Sequence, residues 1–440
     1  MTVDGASSLF GQTFACECGR THEVRPREVI YAVGSAGRLP EVAERVAPGR
    51  RVAVVMDART REAAGEAVAD ALADAGRVVR RVVVEDPPGG GEPVCDEATK
   101  TALAGQIGEV DLIVPVGSGV VSDLGKWLSF EAGTGLVTFA TAASMNGYAS
   151  ANVAPTIGGV KSLVRARPPE VVLGDPGVLA DAPYEMTAAG LGDVLAKNVS
   201  SADWWLNHRL FGDYYCPRSV ALIAEIEPAY LDHPAQLKRR EPAALAALFD
   251  ALLLTGVAMT LAETSAPASG GEHLISHSLD MMASRDARDH DLHGRQVGVG
   301  TIVTAELYRR VLAVESPDLH DAPGAIDEAF WGPLAGAVAA RYAEKADRLR
   351  AARTTLAHGE AWDSLRAELA ARLRPPEAIR DCLAAAGAAT RAADIRCDRS
   401  RLLAAVVHAH EIRARFTVLD LANLLGLMPA AAEEILDTCH

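Results

Sequence analysis

The chain has 440 residues, of which 49% are hydrophobic, enough apolar surface for two packed domains and too much for a mainly disordered protein. Against 43 Lys and Arg stand 58 Asp and Glu, a net charge of −15, which argues against nucleic acid and membrane surfaces as partners. A small anionic ligand remains compatible where a local cation, such as a bound metal, reverses the field inside a cleft.

Seven cysteines at irregular spacing do not form a disulfide framework, and MTVDGASSLFG lacks the basic-then-apolar pattern of a secretory signal, so a cytoplasmic protein is expected. In FACECGRTHEV (14–24), Cys16, Cys18 and His22 invite a zinc reading. C-x-C with one histidine lacks a fourth ligand and the usual C-x-x-C spacing, and the expectation is a structural role.

Short β-branched runs then alternate with Ala-rich helical stretches: EVIYAVG (28–34), RVAVVMD (51–57), VVRRVVVE (78–85), DLIVPVG (111–117), LVTFA (136–140) and EVVLGD (170–175). Strand and helix in alternation predict a parallel sheet covered on both faces, so residues 1–180 read as an α/β dinucleotide-binding domain. Asp57, at the end of the second run, suits either a bond to an adenosine ribose or a helix cap.

In VPVGSGVVSDLGKW (114–127), Gly117 and Gly119 follow an apolar strand and precede an amphipathic stretch, where backbone N–H groups can approach a pyrophosphate. Position 122 is Ser, so this is not the G-x-G-x-x-G fingerprint, and a plain strand-to-helix turn fits as well. Asp123 in that helix could hold cofactor hydroxyls or an amide.

After Pro183 helical periodicity continues almost to the end, so 181–440 reads as an all-helical domain. AAGLGDVLAKNVSSADWW (188–205) sets Asp193 and Lys197 one turn apart, the spacing of an ordinary ion pair, while Trp204 and Trp205 suit helix packing or a subunit contact. ALLLTGVAMTLA (251–262), bounded by Asp250 and Glu263, reads as a buried helix.

SGGEHLISHSLD (269–280) places His273 and His277 one turn apart, and DLHGRQVGVG (291–300) puts His293 where a further helix begins. One Asp with two or more His suits zinc or ferrous iron with an open position, and local spacing leaves both His273 and His277 as ligands. RLRPPEAIR (372–380) breaks the later helices. His208, His233, His290 and His320 read as solvated, the H-x-H pair His408 and His410 as pointing apart, and Cys439-His440 as a frayed end.

The ordered set GSGVVSD, TAASMNGYAS (141–150), GLGDVLAK (190–197), ASGGEHLISH (268–277) and LHGRQVGVGT (292–301) resembles sn-glycerol-1-phosphate dehydrogenase and its bacterial relatives. These belong with the iron-containing alcohol dehydrogenases, glycerol dehydrogenase and dehydroquinate synthase, and FACECGRTHEV resembles the start of the bacterial branch. The resemblance runs from about residue 14 to about 315 and implies a dehydroquinate synthase-like fold, an α/β N-terminal domain with a parallel nucleotide-binding sheet plus an all-α C-terminal domain.

It implies that Asp193, His273 and His293 bind one divalent metal, zinc first with iron or nickel as alternatives, and that His277 lies beside the substrate. Asp57, the turn Gly117, Ser118, Gly119, Val120, Val121, Ser122 and Asp123, the stretch Thr141, Ala142, Ala143 and Ser144, and Ser150 match cofactor-contacting positions for NAD(P)H. Lys197 would support Asp193. Two departures bear on the substrate: Asn146 stands where relatives carry an Asp, and the polar run SRDARDHDLHG (284–294) leads into His293.

The implied reaction is metal-dependent, NAD(P)H-linked reduction of a small, phosphorylated or otherwise anionic ketone, of which dihydroxyacetone phosphate is the family's usual one, in a cleft between the domains of a homo-oligomer. A dehydroquinate synthase-like cyclase and a non-catalytic cofactor-binding relative are the competing readings. Asp193 favours the dehydrogenase, because the cyclases typically carry Glu there.

Overall fold

The computed structural model describes residues 9–87 and 90–438; residues 1–8, which hold most of MTVDGASSLFG, positions 88 and 89 and the pair Cys439-His440 lie outside the described residues. The described chain forms two compact units, one of residues up to 190 together with Ala221–Glu263, the other of Leu191–Val220 with Thr264 onward. The helical segment 221–263 thus belongs with the sheet although it lies well past residue 180.

The first unit opens with a hairpin, β1 (Thr13–Ala15) and β2 (Thr21–Glu23), with Phe14 opposite His22. Six parallel strands follow: β3 (Glu28–Tyr31), β4 (Arg51–Asp57), β5 (Val78–Val84), β6 (Leu112–Gly117), β7 (Gly135–Ala140) and, after the short pairs β8 (Asn152–Val153) with β11 (Val164–Arg165) and β9 (Thr156–Ile157) with β10 (Val160–Lys161), β12 (Val171–Gly174). Their order is β3-β12-β7-β6-β4-β5, all parallel. Each of the six β-branched runs read from the sequence is a strand of this sheet.

Alternation along β4 decides the layers. Val52, Val54 and Met56 join Val114, Val116, Val137 and Leu173 in one core, while Ala53 and Val55 join Val82, Ile113 and Leu124 in another. Successive side chains of a strand point to opposite faces, so a sheet covered on both sides needs a continuous apolar run.

The helices that position the site are α1 (Gly119–Ala132), α2 (Tyr184–Leu195), α3 (Lys197–Phe211), α4 (Pro242–Ala262), α5 (Gly271–Arg285) and α6 (His293–Ala313). By length and composition α4 could cross a membrane, yet 89% of its apolar window is buried within the fold. Its Phe249 packs against the rings of Tyr31 and Tyr148, the kind of enclosure that a helix apolar all round requires.

Candidate active site

In the first unit, β6 delivers Gly117 to a turn that no larger residue fits, since a Cβ there would lie 2.6 Å from Cβ of Val121. A Cβ on Gly119, by contrast, meets nothing within 4 Å, so the first turn of α1 is open to a ligand. The leading amides of a helix have no intrahelical acceptor and favour negative charge. Val121 and Ser122 are buried.

The turn is tied to the stretch 141–144 by a short hydrogen bond between the Ser118 and Ser144 hydroxyls. Tyr148, which sequence reasoning did not single out, donates its buried hydroxyl to Ala142 O at 2.8 Å and to Gly117 O at 3.3 Å. Burial raises that phenol well above its ordinary range, which keeps it a donor.

Asp123 accepts from Ala154 N at 3.0 Å and lies 3.4 Å from the ammonium of Lys126. The fully buried Lys126 also donates to Gly147 O at 2.5 Å, to Asn152 O at 3.0 Å and to Ser150 Oγ at 3.5 Å. Burial lowers its pKa and Asp123 opposes the fall. Lys126 therefore fastens α1, the 3-10 turn Asn146–Ala149 and β8 together, with Asn146 half-buried at the head of that turn.

Asp57 caps the turn after β4: one oxygen accepts from Arg59 N at 2.9 Å and Thr60 N at 2.7 Å, and Thr60 Oγ1 accepts from Asp57 N. Of the two sequence readings the cap is present in the fold. It occupies Oδ1 alone.

In the second unit, Gly192 allows α2 to touch the start of α6, since a Cβ there would sit 2.1 Å from Gly294 O and 3.2 Å from Gly298 Cα. That approach sets Asp193 beside the histidines: His273 Nε2 lies 3.5 Å from Asp193 Oδ1. Ring centres of His273 and His293 are 5.1 Å apart, and His277 stacks on His293 at 5.5 Å. Lys197 donates to Asp193 Oδ1 at 2.7 Å and to Ala268 O at 3.0 Å, with both members of the pair buried.

Burial would raise the Asp193 carboxyl; Lys197, His273 and His293 more than reverse this and hold it far below the usual carboxylate range. Three partners absent from the sequence reading orient the imidazoles. Glu272 lies 2.8 Å from His273 Nδ1, and burial of Glu272 is outweighed by His273, leaving its carboxyl lowered. Ser276 donates to Gln296 Oε1 at 2.8 Å, so at 3.1 Å its oxygen is left to accept from His293 Nδ1.

With Nδ1 committed in both rings, each Nε2 presents a lone pair, the tautomer that metal-binding histidines carry when a carboxylate or oxygen holds the other nitrogen. Asp193, His273 and His293 thus fit a divalent ion chemically. His277 shares the cluster, so ring geometry by itself leaves it as a neighbour or a further ligand.

Beneath Gly271, Asp203 accepts from Gly271 N at 2.7 Å, Val418 N at 2.8 Å and Tyr308 Oη at 2.6 Å; burial, then Glu272, push its carboxyl up to about 7. Within the run 284–294, residues 286–292 connect α5 to α6, pinned where Asp291 accepts from Leu292 N and Arg295 Nε, both at 2.7 Å. His208 departs from the solvated reading: it packs on the rings of Trp205 and Tyr215 with Nδ1 2.7 Å from Asp213 O, because the aromatic cluster at the end of α3 covers it. His233, His290 and His320 are exposed, whereas His408 and His410 do not point apart: both lie near Glu411 Oε1, at 3.0 and 3.9 Å, because the chain passes from α-helix to 3-10 helix between them, and His410 also lies 3.7 Å from Asp420.

Residues 30–183 match the family described as iron-containing alcohol dehydrogenase. The chain is 31% identical to glycerol-1-phosphate dehydrogenase (NAD(P)+) of Geobacillus stearothermophilus, over 96% of this chain and 98% of that one. It is 34% identical to the Thermococcus kodakarensis protein of the same name, over 64% and 78%. In fold it is similar to glycerol dehydrogenase of Schizosaccharomyces pombe (TM-score 0.59, 15% identity, 93% of this chain and 90% of that one) and to a probable glycerol dehydrogenase of Sinorhizobium meliloti (TM-score 0.58, 18% identity, 92% and 97%).

Proposed function

The chain belongs to the glycerol-1-phosphate dehydrogenase family and is an oxidoreductase, and from that premise we propose that it reduces dihydroxyacetone phosphate, or a related anionic ketone, using NAD(P)H and one divalent metal, zinc by preference. The observation that carries the proposal is the convergence of Asp193, His273 and His293, with both Nδ1 atoms committed to Glu272 and Ser276.

Asp193, His273 and His293 hold the ion, and the turn Gly117–Asp123, Thr141–Ser144, Ser150 and Asp57 hold the cofactor. When bound, the ion polarises the ketone oxygen and the reduced nicotinamide supplies hydride to its carbon. The residues do the rest. Asp193 contributes the negative charge that retains a cation, and Lys197 keeps that carboxylate in place. We assign to His277 the proton that converts the resulting alkoxide to the alcohol, a general-acid role suited to an imidazole beside the ligand set. Cytoplasmic location and a homo-oligomeric state belong to the same proposal.

Asn146 favours the wider substrate class, because an amide keeps one acceptor but adds an N–H donor where relatives carry a carboxylate. NADH loss followed with dihydroxyacetone phosphate and phosphonylated ketones, before and after chelation, tests the reading. Oxidation equal to alcohol formed, lost with the metal and restored by zinc, supports it. Product formed without net NADH change would instead mark a cyclase, and cofactor binding with no turnover a non-catalytic protein.

A further inference from the structure

We propose that the β1–β2 hairpin carries a second metal site, a structural zinc-class centre built by Cys16, Cys18 and His22, distinct in donors from the Asp193, His273 and His293 set. The inference is independent of the dehydrogenase reading. Cys16 follows β1 directly, and His22 is the middle residue of β2, paired with Phe14. Between them Cys16 N donates to Arg20 O at 2.9 Å and Gly19 N donates to Cys16 O at 3.0 Å, with Gly19 at φ 83°.

That turn brings Cys18 Sγ to 3.2 Å from His22 Nε2, and the three ligating atoms all lie within 4.8 Å of one another. In a tetrahedral zinc site, bonds of about 2.3 Å to sulfur and about 2.0 Å to nitrogen separate the donor atoms by about 3.5 to 3.8 Å, so small side-chain shifts admit an ion. His22 is buried beside Phe14, with ring centres 5.7 Å apart, which fixes the imidazole as a ligand needs.

The C-x-C spacing argued against zinc in the linear sequence. The glycine turn supplies the missing reach, by folding the second cysteine back over the strand pair. Two thiolates and an imidazole select a soft ion over magnesium or calcium. Strands of three residues make a hairpin that is marginal alone, and a bound ion stabilises it by holding the turn closed. A water or a further thiolate would complete the coordination.

Metal stoichiometry on the intact protein tests the site, using zinc and, for spectroscopy, cobalt(II). Two ions per chain are expected. Cys16→Ser and Cys18→Ser should each lose one while keeping NADH-linked turnover, whereas His273→Ala should lose the other. Cobalt bound to wild type should show sulfur-to-metal charge-transfer absorption that survives in His273→Ala, a readout needing no folded cysteine variant. Single Ser replacements of Cys95, Cys216, Cys382, Cys397 and Cys439 identify any further thiolate. Cobalt-loaded wild type without sulfur-to-metal absorption would overturn the proposal, as would one ion per chain in both wild type and Cys18→Ser.

Discussion

Gly192→Ala is the sharpest test of how the proposed ligand set is assembled. The added methyl would lie 2.1 Å from Gly294 O, where real contacts stay beyond about 3 Å, so α2 and the start of α6 must separate by about 1 Å. Overpacking of this kind costs about 1 to 3 kcal/mol. The displacement falls on Asp193, adjacent to the substituted residue, and a shift of about 1 Å in such a constellation can cost about 100-fold in function. Purified variant and wild type would be compared by zinc titration and thermal unfolding, with zinc affinity expected to fall at least about tenfold and Tm by several degrees. Gly336→Ala, where a Cβ meets nothing within 4 Å, is the control and should be neutral or slightly stabilising. Wild-type zinc affinity and Tm in Gly192→Ala would refute the argument that this contact places Asp193.

His273→Ala and His293→Ala should lose the ion of the Asp193 site and turnover together, while His277→Ala keeps that ion and loses about 10²-fold or more in kcat; a His277 variant lacking that ion would make it a ligand. Lys197→Met leaves Asp193 buried without its ammonium, a loss of about 3 to 5 kcal/mol in metal-free protein, and added zinc should narrow the Tm gap; a gap unchanged by zinc would show that the ion does not replace the lysine's charge. Asp57→Asn keeps an acceptor for the Arg59 and Thr60 amides, so Tm should hold while KM for NADH rises; Asp57→Ala should lose about 1 kcal/mol of capping as well, and an unchanged KM in both would leave Asp57 a cap only. Asp203 has a folded pKa of about 7, above its unfolded value, so its contribution to stability is full below about pH 4 and is lost as pH rises through about 7, on the order of 4 kcal/mol. The Tm advantage of wild type over Asp203→Ala should therefore shrink from pH 4 to pH 8, and a constant gap would contradict the shift.

The sheet was legible because its cause is local. A run such as RVAVVMD, apolar on both faces, has no stable place except between two helical layers, and Val52 and Ala53 do face opposite cores. The grouping of Ala221–Glu263 with the sheet was not legible, since α4 is apolar on every side and its pattern names no partner; Phe249 finds Tyr31 and Tyr148 through tertiary packing alone. The orienting residues escaped for a similar reason: Glu272 and Ser276 look like ordinary polar positions of an amphipathic helix until His273 and His293 are placed beside them.

The two histidines of HLISH show where linear spacing runs out. One turn apart on α5, His273 and His277 are equivalent to any argument from helical periodicity. What separates them is the set of partners that folding supplies. His273 has Glu272 on Nδ1 and Asp193 facing Nε2, so its orientation and tautomer are set from both sides. His277 instead lies against the His293 ring, at an interplanar angle of 18°. The distinction therefore depends on Gly192, which lets α2 approach closely enough for Asp193 to face one imidazole. A glycine with no chemistry of its own thus sets Asp193 against His273, and that is why replacing it should disturb metal binding as well as stability.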